Sequence, residues 1–270
     1  MKTIFWRTIK DRRLILIIFI VICILFLWLY ISLFPVLQSQ AEQLQKLLET
    51  YPASFGDAFG FKNSALFFSN LENYLSTEMF TFMWPILLIS LLVSAGGYSI
   101  AGEIEKGTIE TLLAQPLSRL KLFFAKYLAG FSLLVIFTTL SIVFVFPLAL
   151  AYRIDFSFVN YIYLWIGGNL FGLAILSLAS MFSAIFSEKG KVYFVSVGLL
   201  VLMYALNIIA SLKDSLDSLK YISFFHYFDP NVLLGEKKLD WLTLVVFLGF
   251  SLACIIIAIL VFRKRDVSVA

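Results

Sequence analysis

Histidine and cysteine are nearly absent from this chain: 270 residues contain one of the former and two of the latter. No His-Glu-x-x-His and no Gly-x-Ser-x-Gly occurs, so membrane protease and hydrolase readings lack a metal or a nucleophile. A Gly-x4-Gly-Lys-Ser/Thr run is missing too, and the chain therefore cannot cradle ATP phosphates in the P-loop manner. Cys23 and Cys254 fall inside long apolar runs, where neither a disulfide nor a zinc site is expected. Charge is sparse. Only 14% of residues are charged against 61% hydrophobic, with a mean hydropathy of +0.95, too apolar for a soluble domain of this length.

What the chain does have is long apolar runs. A spanning helix needs roughly 20 apolar residues, and six stretches qualify, at about 14–34, 79–101, 122–151, 161–186, 192–212 and 241–262. Their interiors hold no Asp, Glu, Lys, Arg or His, groups that ion-coupled secondary transporters usually need. The third run exceeds the minimum and is expected to start at the interface or to tilt. Pro85 and Pro147 are expected to kink their spans. Asn169 and Asn207 are the polar exceptions, read either as glue between helices or as substrate contacts. Gly168 and Gly172 beside Asn169 form a small-xxx-small face for close helix packing.

Lys2, Arg7, Lys10, Arg12 and Arg13 precede the first run and imitate a signal peptide. That run is too long for a signal core and no small-residue cleavage site follows it before Pro35, so it reads as a retained span. Residues 1–13 place Ile4, Phe5 and Ile9 on one helical face, as expected of a helix lying along the membrane surface. With the N-terminus inside, inner segments carry 14 Lys/Arg and outer ones 7, while acids number 6 inside and 11 outside. Both termini are therefore expected in the cytoplasm. The net charge of +4 reflects this inner excess and forms no nucleic-acid patch.

Residues 35–78 form the longest polar segment and read as an extracellular loop, with an amphipathic helix at 36–50 and a second helix at 63–74 leading into the next span. Residues 213–240 are extracellular or re-entrant: Tyr221-Ile222-Ser223-Phe224-Phe225-His226-Tyr227-Phe228-Asp229-Pro230 is dense in aromatics for an exposed loop. His226 is structural or a ligand, and Asp229 before Pro230 most simply caps a turn.

Between the second and third runs lies a polar island, Gly102-Glu103-Ile104-Glu105-Lys106-Gly107-Thr108-Ile109-Glu110-Thr111-Leu112-Leu113-Ala114-Gln115-Pro116-Leu117-Ser118-Arg119. Gly107 can turn the chain, and Thr108 can cap a short helix whose first turn carries Glu110. Ile109, Leu112 and Leu113 give that helix one apolar face. Pro116 disfavours helix at Gln115 and stops it, and Ser118 can cap the next helix, which runs through Lys121 and Lys126. Periodicity alone also fits an ordinary loop with an interfacial helix.

The order of residues in this island, acidic residue, Gly-Thr-hydrophobic-Glu, Leu-Leu, Pro-hydrophobic-Ser-Arg and then Lys126, closely resembles the signature of ABC-2 type permeases, the membrane subunits of ATP-binding-cassette exporters. Residues 223–230 resemble that family's hydrophobic-Ser-Pro-Phe-His-Tyr-Phe-Asp-Pro segment, with Phe224 where Pro is usual. The tail from Ala258 through Phe262-Arg263-Lys264-Arg265 to Asp266 resembles the family's last span.

The resemblance implies an all-α integral membrane protein of six transmembrane helices with an N-terminal elbow helix, an ABC-2 (type V exporter-like) architecture. It implies a dimer with a second permease copy or paralogue in the cell membrane of a prokaryote, docked on a separate nucleotide-binding ATPase. ATP and Mg would sit on that partner, with no cofactor in this chain. The implied coupling residues are Glu103, Glu105, Lys106, Gly107, Thr108, Ile109, Glu110, Leu112, Leu113, Pro116, Ser118 and Arg119. Of these, Glu103, Glu105, Thr108, Glu110 and Arg119 are expected to give polar contacts to the ATPase, and Ile109, Leu112 and Leu113 an apolar plug. The alternatives are an ATP-independent channel or carrier, or a scaffold docking a non-ATPase partner.

Overall fold

Apolar runs this long must satisfy their own backbone polar groups in a bilayer, and helices do so within one segment. A computed structural model of the chain describes residues 1–40, 70–114 and 117–265. Among the described residues there is no strand. Six helices are long and apolar enough to cross a membrane: α1 (Lys2–Ser39), α2 (Leu71–Ser99), α5 (Arg119–Ala151), α6 (Phe158–Ile185), α7 (Lys189–Leu212) and α9 (Trp241–Lys264). Two short helices, α3 (Ala101–Glu105) and α4 (Ile109–Leu113), join α2 to α5. Between α7 and α9 the chain makes a 3-10 helix (Asp214–Ile222), the short α8 (Phe224–Tyr227) and a π turn (Val232–Glu236).

Three boundaries differ from the sequence reading, each for a local reason. The basic N-terminus is not set off as an elbow: α1 runs unbroken for 38 residues, about 57 Å at 1.5 Å per residue. Residues 1–13 contain no Gly or Pro to break it, and Pro35 is passed without ending it. Its first turns therefore extend past a hydrocarbon core of roughly 30 Å. Second, α2 starts at Leu71, so Glu72 and Glu78 belong to the helix rather than the loop. Asn70 caps it, accepting from the Asn73 N–H at 2.8 Å, and Glu72 is buried, accepting from the Ser157 N–H at 2.6 Å. Third, α5 is interrupted at Phe144, between Arg119–Val143 and Val145–Ala151. Pro147 lacks an N–H for the Val143 carbonyl and its ring crowds that carbonyl, which explains the break. Pro85 acts differently: π turns over Ser76–Met83 precede it, and regular helix resumes at Trp84.

At the centre is α6, the most deeply buried span. Its glycines admit side chains from other elements: a Cβ at Gly167 would strike Leu233, at Gly168 Trp84, and at Gly172 Leu134. Asn169 is glue here, accepting from Thr138 Oγ1 at 3.2 Å while donating to the Trp165 carbonyl at 2.7 Å. Asn207 is half-buried on α7. The 213–240 region turns back onto the bundle. Phe228 stacks on Phe171 with centroids 4.7 Å apart, and Phe224, 3% exposed, packs edge-on against Phe250 at 4.8 Å. His226 lies edge-on to Tyr221 and Tyr227 in this aromatic layer, and Asp229 accepts from the Asn231 N–H as expected of a turn. Most of the 35–78 loop, with the helices expected at 36–50 and 63–74, falls largely outside the described residues; Val36 to Ser39 continue α1.

Candidate functional site

The start of α1 and the end of α9 lie at one end of the bundle, hereafter the terminal end, and the polar island is folded there. The α2 helix stops at Ile100, whose backbone leaves helical geometry (φ −123°, ψ −54°). A serine from another span pins this break. Ser183 Oγ on α6 accepts from the N–H groups of Ile100 and Ala101 at 3.0 and 2.9 Å and donates to the Gly97 carbonyl at 2.9 Å. Backbone groups freed by the break are thereby satisfied without water.

From there α3 leads into a turn at Gly107 with φ 70°, a left-handed conformation that favours glycine. Thr108 occupies the N-cap position of α4, but its hydroxyl does not cap. It donates instead to the Glu103 carboxylate. That carboxylate also takes the ammonium of Lys126 on α5, in an ion pair whose side chains are only 5% (Lys126) and 13% (Glu103) exposed. Burial pushes the Glu103 carboxyl up, yet Lys126 and the Thr108 hydrogen bond outweigh it and hold the group below the usual carboxylate value. Glu105 reaches in another direction. It accepts from the backbone N–H of Lys189 at 2.8 Å and pairs with that residue's ammonium at 3.1 Å, contacts that also lower its pKa. A carboxylate thus caps the N-terminus of α7, the end its dipole favours for an anion.

The expected apolar plug is turned inward. Ile109 is fully buried and Leu112 is 7% exposed, packed in a cluster with Ile4, Ile104, Leu122, Phe123 and Phe262. Leu113 packs at its edge. These residues hold α4 against α1, α5 and α9 and are not free to enter a partner; the burial of apolar surface that would drive such docking is already spent inside this chain. Arg119 is also used internally, donating to the Phe262 carbonyl at 3.0 Å and to that of Arg265, orphan acceptors at the end of α9. Arg265 does the same for α6, donating to the carbonyls of Ala184 at 2.9 Å and Phe186 at 3.0 Å. Ser118 caps α5 as expected, accepting from the Lys121 N–H at 3.3 Å.

The outward face of the island is Glu105, Lys106, Glu110, Thr111 and Ala114. Of the expected polar contacts, Glu105 and Glu110 are presented to the outside, whereas Glu103, Thr108 and Arg119 are committed within the chain. Pro116 lies outside the described residues. Ser183, Lys189 and Arg265 were not singled out by sequence. Lys189 was visible only as an anonymous member of the inner basic excess, Arg265 only as part of the tail that resembles the family's last span, and Ser183 is one serine among many in an apolar run. Among the described residues no group of three His, Cys, Asp or Glu side chains could hold a metal.

Six crossing helices around a glycine-lined central span, with a short charged helix pair packed across one end, define a multi-pass membrane transport component. The sequence profile of the ABC-2 family transporter proteins matches residues 5–267, and the chain belongs to that family as an ABC-2 type permease. No individual curated protein matches it in sequence.

Proposed function

We propose that this permease forms the membrane pathway of an exporter and takes its work from a separate ATPase that grips the α3–α4 segment. The observation that carries the reading is the pairing of an exposed polar face, Glu105, Lys106, Glu110 and Thr111, with an apolar face buried against three spans. A push on such a lever cannot be absorbed locally. Through Ile109 and Leu112 it reaches α1, α5 and α9, through Glu103 it reaches Lys126 of α5, and through Glu105 it reaches α7. With the basic excess inside, this end and both termini face the cytoplasm of a prokaryotic cell, where ATP is available. Two permeases and two ATPases would then alternate an inner and an outer gate.

Glu110 offers the cleanest test, because it is exposed and makes no ion pair among the described residues. Glu110→Lys should leave insertion and thermal stability unchanged. It should lower co-purification with the partner ATPase, and lower ATP hydrolysis by the assembled complex about tenfold, of the order expected when a buried interfacial charge contact is reversed. Equal co-purification and equal hydrolysis by the variant complex would refute the proposed grip.

A further inference from the structure

Arg12 is 7% exposed, yet among the described residues no carboxylate pairs with it. Its guanidinium donates to Ser94 Oγ at 2.8 Å and lies 4.2 Å from the centroid of the Tyr98 ring. Around that same ring stand two more cations, the ammonium of Lys106 at 4.8 Å and that of Lys126 at 5.7 Å. Lys126 is answered by Glu103. Glu103 and Glu105 are both in electrostatic reach of Lys106, but Lys126 and Thr108 already occupy the first and Lys189 the second. On the other side of Lys126, a cavity of about 80 Å3 is lined by Arg7, Asp11, Glu103 and Lys126, two cations against two carboxylates. The cavity is balanced; the surplus lies on the Tyr98 side, in Arg12 and Lys106. Arg12 is the buried one, and a buried cation without a counter-charge is costly; the exposed Lys106 beside the same ring adds to the repulsion.

The depth of this hub indicates what would balance it. Arg12 sits just before the apolar run whose Leu14, Ile17 and Ile18 are 65%, 53% and 47% exposed on the outside of the bundle, facing lipid. Tyr98 is at the matching end of α2, one residue before Ser99. The hub therefore stands at the border of the hydrocarbon core, the level of phospholipid phosphates. An Arg and a Lys beside one aromatic ring suit a phosphate ester, with the guanidinium fork meeting two oxygens and the ammonium a third.

We propose that Arg12, Lys106 and Tyr98 form a binding site for a phosphate ester, supplied by an anionic phospholipid headgroup of the leaflet at the terminal end. Occupancy would tie α1 to the segment after α2 and hold Lys106 back from any soluble partner. The inference does not depend on the ATPase: it concerns the isolated permease.

The full-length permease in detergent is titrated with dioleoylphosphatidylglycerol, dioleoylphosphatidylcholine or inorganic phosphate, and its thermal midpoint is followed. Phosphatidylglycerol should raise the midpoint at concentrations at least about tenfold below those needed of phosphatidylcholine, and Arg12→Gln with Lys106→Gln should abolish that preference. Arg263→Gln with Lys264→Gln, exposed cations of the same end, should preserve it. If Arg12→Gln does not fold, Lys106→Gln alone, at an exposed position, should weaken the preference several-fold. Stabilisation by inorganic phosphate, lost in the Arg12 and Lys106 variants, would assign the site to a soluble anion in place of a lipid. An undiminished lipid preference in those variants, or an equal loss in the Arg263 and Lys264 control, would overturn the site.

Discussion

Two carboxylates two residues apart behave as different kinds of residue here. Glu105 bridges to the start of α7 from an exposed position, whereas Glu103 is enclosed with Lys126 and Thr108. Removing one partner of an enclosed pair leaves a stranded charge, so Lys126→Met alone should destabilise the permease by roughly 3–5 kcal/mol, while Glu103→Leu with Lys126→Met should restore most of it. Thermal or chemical unfolding in detergent measures both; equal loss in the single and double variants would refute the coupling. The Glu103 carboxyl has a folded pKa below its unfolded one. Its contribution is therefore complete above the unfolded carboxylate value and is lost as pH falls through the lowered folded value. The stability difference between wild type and Glu103→Gln should accordingly shrink as pH is taken below the ordinary carboxylate range.

At the scale of elements, the break at Ile100 separates a membrane span from the α3–α4 segment, and one hydroxyl from a different helix satisfies its backbone. Ser183→Ala strands two buried N–H groups and should cost about 1–3 kcal/mol. It should also speed amide exchange at residues 100–105 more than elsewhere in α2; uniform exchange would show that the break is set by the local chain alone. The glycine face of α6 makes a parallel case. Gly172→Val drives a side chain into Leu134 and Leu92 and should cost about 1–3 kcal/mol, whereas Gly198→Ala, where a Cβ meets open space, should be nearly neutral. Helix existence was legible in these runs, and so were the Gly168 and Gly172 packing face, the Ser118 cap and the Gly107 turn, because each depends on residues close in sequence. Thr108 was read as a cap because that position and residue type favour one; the tertiary neighbour Glu103 took its hydroxyl instead.

At the scale of the whole molecule, polar staples at the terminal end hold the ends of four of the six spans, α5, α6, α7 and α9. Arg119 holds the end of α9, Arg265 the end of α6, Glu105 the start of α7, and Glu103 the α5 helix. Composition and hydropathy alone determined that this is a membrane protein, the number of its crossings and the place of the polar island between the second and third of them, since burying apolar runs in lipid and breaking them with charge are properties of the chain itself. Only the tertiary structure decided which face of the α3–α4 segment looks outward. An amphipathic helix of one turn and a half fits a partner's groove and its own protein's flank equally well by periodicity, and the choice went to the flank because Ile4, Phe123 and Phe262 converge there from distant parts of the chain. The same holds for the charges: sequence counts cations by loop, but which of them finds a carboxylate, and which is left facing Tyr98, follows from how the helices cross.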